Sequence, residues 1–135
     1  MFPSVGPSAV VLLFNLKNDQ RFDRIESYLD NNGIRLRRVE ANEFHKPIGT
    51  LLGLKGFAAR ADSPCLPFSE EMLLMCGFDQ RMLQDFLSFF HREGLRSVGL
   101  KAMLTPTNAA WSACELYLHL SAERSQFEAV SKKEE

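Results

Sequence analysis

The chain has no glycine-rich phosphate cradle, no C-x-x-C pair, no apolar run of membrane length and almost no net charge. Each absence removes a class of function. Without the cradle there is no nucleotide-site motif. The three cysteines, Cys65, Cys76 and Cys114, are odd in number and lack paired spacing. That argues against a zinc site or a disulfide framework and fits reduced thiols in a cytoplasm. The apolar run Ala9 to Phe14 has no basic region before it, and Asn15 and Lys17 cut it short. It reads as a buried strand, neither a signal peptide nor a span, so no membrane is expected. A formal net charge of −1 cannot supply the positive field that phosphate neutralisation requires, so no nucleic acid is expected. Arg35, Arg37 and Arg38 form one basic patch, read as the solvated side of an edge strand. His45, His91 and His119 have no metal-ligand spacing, and neither a metal nor a cofactor is expected.

What is present is an ordinary globular balance: 135 residues, 45% hydrophobic and 24% charged. That fits one domain, 1–135, large enough to fold without disulfide or metal. The most informative feature is a repeat. Asp19-Gln20-Arg21 recurs 60 residues later as Asp79-Gln80-Arg81. Each triplet follows an apolar run and leads into an amphipathic pattern, Phe22, Ile25, Leu29 in one case and Leu83, Phe86, Phe90 in the other. Asp19 and Asp79 suit helix N-caps. Gly33 and Gly94 suit helix stops. Second strands follow at Ile34 to Glu40 and Val98 to Leu104. The chain therefore reads as strand-helix-strand-helix twice, with halves 9–54 and 71–130 joined by a linker, 55–70. Pro47 to Leu54 reads as one short helix.

Val10 to Phe14 and Met72 to Met75 are apolar on both faces, as central strands are. Ile34 to Arg37 alternates, as an edge does. The expected fold is α/β, with a four-stranded, mainly parallel sheet in the order 2-1-3-4 and helices on both faces. A ferredoxin-like α+β sheet is the alternative, since it also makes strands 1 and 3 central.

Thr105-Pro106-Thr107-Asn108 ends the fourth strand. Pro106 forbids further pairing, and Thr107 or Asn108 would cap a helix starting at Ala109. Turn and cap chemistry explains much of this block. A loop at the carboxyl end of a strand, leading into a helix, is also where open α/β folds bind ligands. Lys101, Thr105, Thr107, Asn108 and Trp111 are thus the candidate binding residues for a small anion. Trp111, Cys114, Leu118 and Ala122 form one stripe, expected to be core. Leu116, Leu120 and Phe127 form a second. A helix apolar on two sides needs a second partner, and a homodimer through helix 109–130 would supply one. The polar end, Ser131 to Glu135, is expected to fray.

The block from Glu71 to about Arg124 resembles a small bacterial family catalogued only as a domain of unknown function. The pattern K-A-x-x-T-x-x-N-x-x-W carries the resemblance, with Lys101, Ala102, Thr105, Asn108 and Trp111 in the defined places. The resemblance implies a bacterial, cytoplasmic protein and transfers no activity.

Two functions fit. The first is a binding or interaction module, using the Thr105–Asn108 loop or the last helix. The second is a small hydrolase- or transferase-like enzyme. It would use Cys76 as nucleophile at a strand end before a helix N-terminus, and His45 is the only base that suits. The first is preferred, because a free Cys is usually a small buried residue.

Overall fold

The computed structural model describes residues 9–57, 65–66 and 68–134, with side chains to residue 125. Residues 58–64 and Pro67 of the linker, the last residue and the Phe127 side chain lie outside this range. In chain order the elements are β1 (Val10–Phe14), α1 (Gln20–Asn31), β2 (Arg35–Val39), a 3-10 turn (Ala41–Glu43), α2 (Ile48–Leu51), β3 (Met72–Cys76), α3 (Gln80–Arg92), β4 (Leu100–Met103), a second 3-10 turn (Asn108–Ala110) and α4 (Ala113–Glu134). They fall into two compact units. One holds the chain up to Val39 with Glu70–Leu104, and the other Glu40–Ser69 with Thr105 to the C-terminus.

The first unit contains the sheet, in the order β2-β1-β3-β4. The outer pairs β1–β2 and β3–β4 are parallel. The central pair β1–β3 is antiparallel and centred on Leu12 opposite Leu74. The strand order is the expected one, and the sheet is mixed. The ferredoxin-like antiparallel sheet is not formed, because both outer pairs are parallel.

The antiparallel centre decides which face the two helices of this unit cover. Phe22, Ile25 and Leu29 of α1 join Phe86, Phe89 and Phe90 of α3 in one core with Val11, Leu13, Leu73 and Met75. Both helices therefore cover one face. The reason is handedness. Strand-helix-strand crossovers are right-handed. With β1 and β3 parallel and their partners on opposite sides, the two crossovers would lie on opposite faces. Reversing β3 brings α3 round to the face that α1 covers. Leu12, Phe14, Met72 and Leu74, on the other side of the pleat, are buried as well, as the doubly apolar runs predict.

The helices begin and end as their sequences dictate. Asp19 accepts from the Phe22 amide at 2.9 Å and Asp79 from the Met82 amide at 2.8 Å. Gly33 and Gly94 take φ of 69° and 66°, the left-handed turn a side chain resists. The next amides, Ile34 and Leu95, then donate back to Leu29 and Phe90, each at 2.8 Å. Arg21 is buried and grips Glu71 through two bonds, 2.7 and 2.9 Å, while its Nε donates to the Arg96 carbonyl at 2.7 Å. The basic patch on β2 is more than a solvated face, since Arg38 bonds Asn18 and the Leu16 carbonyl and lies 4.3 Å over the Phe22 ring.

Candidate functional site

The second unit carries most of the nominated residues. Thr105 and Asn108 satisfy each other. The Thr105 amide donates to Asn108 Oδ1 at 2.8 Å, and the Asn108 amide donates to Thr105 Oγ1 at 3.0 Å. This reciprocal pair closes the 3-10 turn at Asn108–Ala110, and Asn108 is buried within it. Thr105, Pro106 and Thr107 remain exposed. Glu40 and Glu43 make a corresponding box around the first 3-10 turn, where the Glu40 amide donates to Glu43 Oε1 at 3.3 Å.

The long helix starts at Ala113, four residues later than expected. Its cap is Ser112. The Ser112 amide donates to Glu115 Oε1 at 3.3 Å, and the Glu115 amide donates to Ser112 Oγ at 3.1 Å. Ser112-Ala113-Cys114-Glu115 is a capping box legible in the sequence, and it lies just after the cap-like Thr-Pro-Thr-Asn. Trp111 therefore sits outside the helix, in extended backbone. Its carbonyl accepts from the Ile48 amide at 2.8 Å, beside a bridge between Pro47 and Ser112. Counting a helical stripe from Trp111 gives the wrong phase. Ala113, Cys114 and Leu116 are buried, whereas Leu118 is 57% exposed and Ala122 is exposed as well. The Trp111 ring stacks on His119 at 3.9 Å between centroids and 6° between planes.

Cys65 and Cys114 form a disulfide, with Cα atoms 5.4 Å apart. This overturns the expectation of unpaired, reduced thiols. The odd count hides a pair plus one free thiol, and a separation of 49 residues has no spacing signature for a sequence reading to find. Beside the bond, Phe68 stacks between Phe44 and Tyr117, at 4.7 and 4.4 Å.

Lys101 belongs to the sheet unit. Its Nζ donates to the Val98 carbonyl at 2.7 Å, just before the start of its strand. Burial lowers its pKa. Cys76, the free thiol, ends β3 half-buried. Burial pushes its pKa up, and the nearby Arg35 pulls it down by less. A thiolate is therefore disfavoured there. His45 is exposed and lies in the other unit.

A shallow groove of about 590 Å³ along α1 and α3, lined by Arg24, Tyr28, Arg92 and Glu93 among others, was not anticipated. Within it Arg24 pairs with Glu93 at 2.6 Å, and Arg92 and the Tyr28 hydroxyl both reach Asp85, which lies outside its lining. Among the described residues no group of three or more His, Cys, Asp or Glu is placed to hold a metal. No helix among them is long and apolar enough to cross a membrane.

Residues 71–127 match the family model of a domain of unknown function, DUF3783. The match spans β3, α3, β4, the Thr105–Asn108 turn and much of α4, and so bears out the resemblance seen in the sequence. No curated protein and no solved structure matches the chain.

Proposed function

We propose that this protein is a binding or interaction module that pairs with a second copy of itself through α4. The observation that carries this reading is Leu118, 57% exposed in the second turn of a long helix, one residue before His119, which stacks on Trp111. Large apolar side chains presented on a helix face favour a protein partner over solvent. The test is sedimentation of the purified chain beside Leu118→Glu. The wild type should sediment as a dimer and the variant as a monomer with unchanged circular dichroism. A wild-type monomer at tens of micromolar overturns the reading.

A small anion at the Thr105–Asn108 loop is a second reading, favoured by the exposure of Thr105, Pro106 and Thr107. Thr107 leads this set, since Thr105 and Asn108 already bond each other and Lys101 turns to Val98. Trp111 would flank the site. Inorganic phosphate should raise the melting temperature in the wild type and not in Thr107→Ala. The cysteine-dependent enzyme is the weaker alternative, because burial holds the Cys76 thiol protonated. A cytoplasmic, bacterial setting belongs to this proposal too, and it requires the Cys65–Cys114 bond to be exchangeable.

A further inference from the structure

We infer that Cys65–Cys114 is an exchangeable redox clasp, opened by low-molecular-weight thiols of the glutathione class, which fastens the end of the linker to α4. The bond joins two unlike places. Cys114 lies in the first turn of α4 and is 1% exposed. Cys65 lies outside any helix or strand, is partly exposed and precedes Leu66, which is 74% exposed. An incoming thiolate therefore meets Cys65 first.

Exchange proceeds by that attack. The small thiolate bonds to the Cys65 sulfur, the S–S bond breaks, and its electron pair leaves on Cys114, which takes a proton. A second small thiolate attacks the mixed disulfide. It releases an oxidised small-molecule disulfide and a Cys65 thiolate, which is protonated in turn. Two electrons pass from the two small thiols to the protein, and oxidised glutathione reverses the sequence.

Opening is local because of what the clasp holds. Asp19, Asp79 and the three strand pairings stand without it. Once the bond is broken, Cys65 and the exposed Leu66 lose their covalent tie to α4, while the stack of Phe68 between Phe44 and Tyr117 is not part of the bond. Release of the segment would uncover Cys114 and the α4 surface beside it.

The experiment counts thiols in the native full-length chain by alkylation and mass spectrometry. As purified in air, one thiol should label, and Cys76→Ser should reduce the count to none. After incubation with millimolar reduced glutathione, Cys65 and Cys114 should both label without denaturant. The far-ultraviolet spectrum should be kept, and the melting temperature should fall by roughly 10 °C. Oxidised glutathione should restore both. Cys65→Ser should melt at the temperature of the reduced wild type, insensitive to either reagent. Three thiols labelling at the outset overturns the proposal. So does a bond that yields only in denaturant, which would make it a fixed staple, or a reduction that unfolds the whole chain. If Cys65→Ser does not fold, labelling of the reduced wild type decides alone. Labelling of Cys65 with Cys114 still protected means that the segment stays docked, and the clasp is refuted.

Discussion

The first half of the chain and the second make the same elements by partly different means. Both run strand, helix, strand, 3-10 turn, helix. Both cap the first helix with Asp and stop it at a left-handed Gly. Immediately after the first strand both turn through positive φ, 67° at Asn15 and 77° at Gly77. Only glycine does this without strain. Asn15 does it as an asparagine can, with its side-chain amide held on the Glu70 carbonyl at 3.0 Å. Around the 3-10 turns, two glutamates in one half do what a threonine and an asparagine do in the other. The comparison shows that the reciprocal bond is the requirement and the residue types are one solution to it. A Thr-x-x-Asn block that stands out in a sequence can therefore owe its prominence to backbone capping.

The identical triplets diverge most, and there the largest effect is expected. Arg21 is buried against Glu71, whereas Arg81 is exposed. Arg21→Met should cost about 3 kcal/mol in urea unfolding, because Glu71 loses its buried partner. Arg81→Met should stay within about 0.5 kcal/mol. Equal costs would erase the distinction. Next come the two turn boxes. Asn108→Ala leaves the Thr105 amide unpaired beside a buried site and should cost about 2 kcal/mol. Glu43→Ala, whose bond is longer and less buried, should cost about 0.5 kcal/mol. A reversed order would show that the two turns are not equivalent in kind.

The smallest expected effect concerns the strand ends. The folded-state pKa of the Cys76 thiol is raised, chiefly by burial. A raised pKa contributes stability that is fully present below the ordinary thiol value, about 8.5, and lost as pH rises above it. Cys76→Ser should remove that alkaline loss. At neutral pH an alkylating reagent should modify Cys76 more slowly than free glutathione. Faster labelling would revive the nucleophile reading.

Strand order was legible because Val10 to Phe14 and Met72 to Cys76 are apolar at every position, and such strands belong in the centre. Their mutual direction was not legible, because an apolar strand presents the same faces run either way. The helix caps were legible from single residues, Asp19 and Asp79. The start of α4 was not, since two cap-like blocks lie four residues apart and only Ser112 with Glu115 opens the helix. Of the candidate site, the residues were visible but their partners were not. Lys101 could be named as a charge, yet whether it faced the loop or Val98 depended on a rotamer.

By itself the sequence determined the local pieces: caps at aspartate, stops at glycine, the period of the helices and the central place of two strands. These depend on a residue and its near neighbours in the chain. The tertiary structure decided the antiparallel centre that puts α1 and α3 on one face, the Cys65–Cys114 bond, the burial of Arg21 and the exposure of Leu118. Each of these joins residues far apart in sequence, or depends on which face of an element is covered, and no local propensity encodes that.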